Sequence, residues 1–112
     1  MDCIFCKIIS GEIPSEKVFE NEDVFAFSDI NKQAPTHVLV VPRKHIASLD
    51  HASPEDIQVL GNLHAVAAEI ARKSGLTDGY RTVINTGPDG GQTVDHLHVH
   101  LLGGRVMDWP PG

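Results

Sequence analysis

The sequence predicts an α+β domain built from five strands, one main helix and a short N-terminal helix. Three observations predict it. Four short runs of β-type residues, 17–20, 24–28, 37–41 and 81–85, are each bounded by turn residues. One long segment, 54–73, carries apolar residues at helical spacing and falls between the third and fourth of those runs. Near the C-terminal end, His96-Leu97-His98-Val99-His100-Leu101-Leu102 alternates imidazoles with apolar side chains, which is the period of a strand. Strand parity puts His96, His98 and His100 on one face, and Leu97, Val99 and Leu101 on the other, toward the core. At 112 residues the chain reads as one domain, 1–112, and 41% hydrophobic residues are enough to fill its core.

The elements follow in order. Ile4, Phe5, Ile8 and Ile9 fall at helical spacing, so Met1 to Ser10 reads as a short helix that Gly11 stops. Lys17 to Glu20 and Val24 to Ser28 form a hairpin across Asn21-Glu22-Asp23. A polar loop from Asp29 to Pro35 leads to His37-Val38-Leu39-Val40-Val41. That continuous apolar run suits a central strand covered on both faces, and Pro42 ends it. Ser53-Pro54-Glu55-Asp56 marks a helix start, with Ser53 at the N-cap and Pro54 at the first helical position. The helix runs to about Lys73, and Gly75 stands where a left-handed residue terminates it. Its apolar residues, from Ile57 to Ala71, spread over an arc of roughly 180°, wider than the ~100° a surface helix needs. The surplus points to a second partner, read as another copy of the chain. Arg81 to Asn85 is the fourth strand, and a glycine-rich turn, Gly87 to Thr93, feeds the histidine strand. The tail, with Trp109-Pro110-Pro111-Gly112, is irregular.

Composition narrows the function classes. Nine basic against fifteen acidic residues give −6, which argues against a nucleic-acid surface and against anionic membranes. A small phosphorylated ligand held locally by backbone N–H groups and imidazoles is still allowed. No apolar run approaches the roughly 20 residues that span a bilayer, and no signal peptide is visible, so the expected location is the cytoplasm. In that compartment the Cys3-x-x-Cys6 pair reads as a metal or redox site before a structural disulfide.

Three imidazoles in strict alternation admit two chemistries. They can ligate a catalytic zinc with an open position. Alternatively, one imidazole attacks while its neighbours orient it and handle protons. The loop before them favours attack at phosphorus. Gly87, Gly90 and Gly91 allow close backbone approach to an anion, and Gln92 and Thr93 bring hydrogen-bonding groups.

The histidine strand resembles the His-φ-His-φ-His-φ-φ motif of the histidine triad superfamily. Cys3-Ile4-Phe5-Cys6-Lys7-Ile8-Ile9, Phe27-Ser28-Asp29-Ile30, Ala34-Pro35-Thr36-His37, Val41-Pro42-Arg43-Lys44-His45, Asn85-Thr86-Gly87, Gly90-Gly91-Gln92 and Leu102-Gly103-Gly104-Arg105 resemble its Hint branch. The likeness covers essentially the whole chain. It implies a five-stranded antiparallel sheet that pairs into a homodimer with a continuous sheet. It also implies a nucleotide-binding hydrolase that cleaves purine nucleoside phosphoramidates, with His98 as the nucleophile that takes the nucleoside monophosphate. His37, His100 and Thr93 would complete the proton network, and Asn85, Gly91, Gln92 and Thr93 would meet the phosphate and leaving group. Asp29 would bind the ribose hydroxyls, and Ile30, Phe5, Ile8, Phe27 and Leu39 would line the base pocket. No metal is required for this chemistry. The rival reading is a nucleotide-binding scaffold with vestigial hydrolysis.

The resemblance further implies a structural zinc held by Cys3, Cys6, His45 and His96; a pair of reduced thiols is the alternative. Two departures stand out. The family commonly has Ser where Thr93 stands, which keeps the hydroxyl. Asp95 replaces a residue that is often bulky, and it is expected in water at the strand mouth. His51 and His64 carry no partner signal.

Overall fold

The computed structural model describes residues 2–111. Helix α1 is Ile4–Ser10, and strands β1 (Lys17–Glu20), β2 (Val24–Ser28) and β3 (Thr36–Pro42) follow. Two 3₁₀ turns lead into helix α2 (Ile57–Lys73), and then come β4 (Tyr80–Val83), a single helical turn α3 (Gly87–Gly90) and β5 (Val99–Gly103). The strands form one antiparallel sheet in the order β1-β2-β3-β5-β4. The expected α+β architecture is therefore the observed one, and β3 is central as its apolar run requires.

Alternation along the strands gives the sheet two different faces. Val24, Ala26, Val38, Val40, Val99 and Leu101 point to one side and bury against Leu63, Val66, Ala67, Ile70 and Ala71 of α2. Phe25, Phe27, Leu39 and Val41 point to the other, where they pack with Phe5 and Cys3 from the α1 segment. α1 has only 7 residues against the 17 of α2, so it covers part of its face and leaves a hollow beside it. The wide apolar arc of α2 is used unevenly. Its C-terminal half is buried, whereas Val59 and Leu60 are half-covered and Ile57 is exposed.

The helix ends obey local chemistry. The amide of Ser53 donates to Asp56 Oδ2 at 3.0 Å, a reciprocal cap that starts the helix as a 3₁₀ turn before α2. At the other end the amides of Gly75 and Leu76 donate to Arg72 and Ala71 carbonyls, at 3.1 and 3.0 Å, closing a Schellman motif around Gly75.

Several boundaries depart from expectation, and β3 takes in Thr36 and Pro42. α1 starts at Ile4, with Cys3 as its N-cap, and Met1 lies outside the described residues. β4 ends at Val83, short of Asn85, and the glycine turn contains α3. β5 begins at Val99 and not at His96. The last difference has a local cause. The Leu97 amide donates to the Ile46 carbonyl at 2.7 Å, so residues 96–98 bond to the loop after β3 instead of to the ladder. The alternation survives, because Leu97 still enters the α2 core while His96 and His98 face Phe5.

Candidate active site and metal centre

The hollow beside α1 is a cavity of about 480 Å³. Phe5, Ile8, Phe27, Ile30 and Leu39 give it apolar walls, and Asp29, His37, Thr93, His98 and His100 give it polar ones. Register explains the convergence. Leu39 pairs with Phe27 on one side and with His100 on the other. His37 lies two residues along β3 from Leu39, on the same face. Ile4, Ile13, Pro14 and Val94 also line the cavity and were not singled out in the sequence, where their apolar character reads as core. Ile30 lies at the rim, fully exposed. Asn85, Gly91 and Gln92 are not among the lining residues. The Gln92 side chain is committed to the backbone: it accepts from Gly87 N–H at 3.1 Å and donates to the Ala47 and Val94 carbonyls at 2.8 and 3.0 Å. The Gly91 amide is engaged within the turn, with the Pro88 carbonyl at 3.1 Å.

Hydrogen bonds assign the proton positions on each imidazole. His98 is buried, and its Nδ1 lies 2.6 Å from the carbonyl oxygen of His96. A carbonyl can only accept, so Nδ1 carries the proton and Nε2 holds a lone pair. His37 is the reverse case. The Gln33 amide donates to its Nδ1 at 3.1 Å, so its proton sits on Nε2. From there it donates to His100 Nδ1 at 2.9 Å, with Asp29 Oδ2 3.4 Å away. His100 therefore keeps its own proton on Nε2. Burial holds His37 below the usual imidazole range, against the opposing pull of Asp29. Burial, with His98 and His37 adding to it, lowers His100 to about 4. Both are neutral near pH 7 and keep their lone pairs.

His96 belongs elsewhere. Its Nε2 donates to the Pro42 carbonyl at 2.9 Å, which turns an unprotonated Nδ1 toward Cys3 Sγ (3.3 Å), Cys6 Sγ (3.6 Å) and His45 Nδ1 (3.2 Å). His45 Nδ1 lies 3.5 Å from Cys6 Sγ. A tetrahedral zinc with bonds near 2.0–2.3 Å has ligand–ligand edges of about 3.3–3.8 Å, so this set fits a structural zinc. Both thiols and both imidazoles are used, which makes a closed site. The fourth ligand is steadied by its neighbour: Lys44 pairs with Asp56 at 2.7 Å and Glu55 at 3.0 Å. Burial and the adjacent Cys3 raise the Cys6 thiol, so a thiolate pair here calls for a cation.

The same atoms decide against a zinc hydrolase built on His96, His98 and His100. His96 turns its free Nδ1 away to Cys3 and Cys6, and among the described residues no metal-capable group contains His98. Asp29, His37 and His100 do converge, yet metal on His37 Nε2 would move its proton to Nδ1, against the Gln33 N–H. One cluster is wired for a metal and the other for protons. Asp95 is exposed, as expected. His51 does have a partner, its Nδ1 lying 2.7 Å from the buried Ser48 hydroxyl.

Residues 10–107 match the model of the HIT domain family, and the chain belongs to that family. It is 56% identical over 111 residues to a 14 kDa zinc-binding protein of Zea mays, covering 97% of this chain and 87% of that one. It is similar in structure to a HIT family hydrolase of Legionella pneumophila, with a TM-score of 0.97 and 50% identity, covering 99% of this chain and all of that one. A histidine triad nucleotide-binding protein of Candida albicans aligns at a TM-score of 0.83 and 36% identity, covering 97% and 83%.

Proposed function

We propose that the protein hydrolyses purine nucleoside 5′-phosphoramidates through a covalent nucleotidyl intermediate on His98. The observation that carries this reading is the bond from His98 Nδ1–H to the His96 carbonyl, which leaves Nε2 as an unprotonated nucleophile at the cavity wall. Nε2 attacks the α-phosphorus, and the bond from phosphorus to the amine breaks. The charge that Nε2 gives up is shared through Nδ1–H with the carbonyl. The amine leaves with a proton relayed through His100, His37 and Thr93. Water then attacks phosphorus, the phosphorus–Nε2 bond breaks, and the proton returns to the network as the nucleoside monophosphate is released. Neutral His100 suits this role, since its Nε2–H can be lent and recovered.

The apolar walls suit a purine, and Asp29 suits the ribose hydroxyls. Asp29 Oδ1 accepts from the Asn31 amide at 2.8 Å, which orients the carboxylate. Asn85 and residues 91–93 would meet the phosphoryl oxygens, with Gln92 acting by holding the loop to Ala47. Support also comes from the hydrolase and nucleotide-binding proteins to which the chain is similar. His98→Ala is expected to abolish release of amine from an AMP-amine while AMP still binds. Persistent turnover would remove His98 as the nucleophile. AMP binding without turnover by the native chain would favour the scaffold reading.

We also propose a homodimer with a continuous sheet. β4 is an edge strand, the N-terminal turn of α2 carries the exposed Ile57, and Tyr80 on β4 is also exposed.

A further inference from the structure

His37 sits at the head of the proton network, and the donor that meets its Nδ1 is one backbone N–H, that of Gln33, while the Asp29 carboxylate 3.4 Å from Nε2 acts in the same direction. Gln33 lies in an exposed loop between β2 and β3, outside the sheet ladder. The loop is closed at its base by the Asp29 amide on the His37 carbonyl at 2.9 Å. Its far side is held by the turn that follows β5. Arg105 Nε donates to the Gln33 carbonyl at 3.0 Å. One residue earlier, Gly104 has φ +93°, and a Cβ there would stand 2.9 Å from Pro35 Cβ. The turn thus lies directly against Pro35 while Arg105 reaches Gln33. Arg105 makes no ion pair among the described residues; its Nη1 goes to the Val106 carbonyl at 3.3 Å.

We propose that Arg105 is a positioning residue which, through Gln33, locks His37 in its Nε2–H tautomer. The chain of contacts runs from Arg105 to the Gln33 carbonyl, from the Gln33 amide to His37 Nδ1, and from His37 Nε2 to His100 Nδ1. Each link is a single hydrogen bond of fixed direction. If Gln33 withdraws, the Nδ1 side of His37 loses its donor and the imidazole can carry its proton on either nitrogen. In the other tautomer His37 Nε2 no longer donates to His100 Nδ1, so His100 loses the donor that keeps its own proton on Nε2, and the relay breaks. Arg105 touches no reacting atom and acts only through the loop.

The test uses the full chain with Arg105→Gln and Arg105→Lys, each first checked for native melting. Nitrogen–proton correlation spectra of the imidazoles report the His37 tautomer without any substrate. Arg105→Gln is expected to convert a pure Nε2–H signal into a mixture, and Arg105→Lys to restore most of it. With adenosine 5′-phosphoramidate, kcat should fall about tenfold in Arg105→Gln with KM unchanged. An unchanged His37 tautomer in a natively folded Arg105→Gln variant overturns the proposal. The kinetic arm rests on the phosphoramidase reading. A shifted tautomer in a chain that never turns over the phosphoramidate sinks that reading and leaves the role of Arg105 standing.

Discussion

At the scale of single residues, function turns on where protons sit. Two histidines separated by one leucine receive opposite assignments: His96 exposes Nδ1 and His98 exposes Nε2. In each case a main-chain carbonyl, Pro42 or His96, takes the other nitrogen's proton. The same logic gives a pH dependence. The folded chain keeps His100 neutral down to about pH 4, whereas unfolded it takes up a proton near 6.5. His37 shifts in the same direction. The unfolded state therefore gains protons first as pH falls. Stability from His100 is complete above about pH 6.5 and drains away toward pH 4, and the share from His37 likewise falls as pH drops below 6.5. Urea midpoints measured from pH 7 to 4 should decline, and His100→Asn should flatten part of that decline. A slope unaltered by the substitution would remove His100 as a source.

The residue scale also shows what can be read before folding. His98 and His100 were legible because imidazoles at strand spacing are side-chain signals, and His37 and Asp29 because they stand in motifs that resemble the family's. The Gln33 amide and the Pro42 carbonyl were not, because every residue has such groups and nothing in the chain marks which ones will be aimed at a ring nitrogen. Gln92 was legible as a polar loop residue but not as a brace, since its partner Ala47 is 45 positions away.

At the scale of elements, the Cys/His cluster joins the start of α1, the loop after β3 and the segment leading into β5. α1 is short and carries one fully buried side chain, Phe5, so its own burial anchors it weakly. Zinc would supply the missing tie. Phe5 also stacks edge-on against His98, with ring centroids 5.1 Å apart, so the metal would hold a wall of the cavity. Cys6→Ser, or removal of metal by a chelator, should lower the melting temperature by several degrees, given a loss of about 2 kcal/mol or more. Metal content by mass spectrometry checks the stoichiometry; native protein without zinc, melting no lower after chelation, would favour reduced thiols.

At the scale of the whole molecule, two faces of one sheet divide the work. α2 covers one face and makes the core, and α1 half-covers the other and makes the site. The edge at β4 and the exposed start of α2 are the surfaces through which a second copy would extend the sheet. Sedimentation should give a dimer of the 12.2 kDa chain, and Thr82→Pro, which removes an amide from β4, should shift it toward monomer. A monomeric native chain at micromolar concentration would end the dimer proposal. No helix among the described residues is long and apolar enough to cross a membrane.

The sequence by itself determined the five strands, the two longer helices, the antiparallel hairpin and the residue types with the chemistry to react or to ligate. Those follow from periodicity, capping and side-chain type, which are local. Only the tertiary structure decided which nitrogen His96 turns to the cysteines, that β5 starts at Val99, and that His98 is held with its Nε2 bare. Those outcomes depend on carbonyls and amides brought together from distant parts of the chain, and direction in a hydrogen bond exists only once both partners are in place.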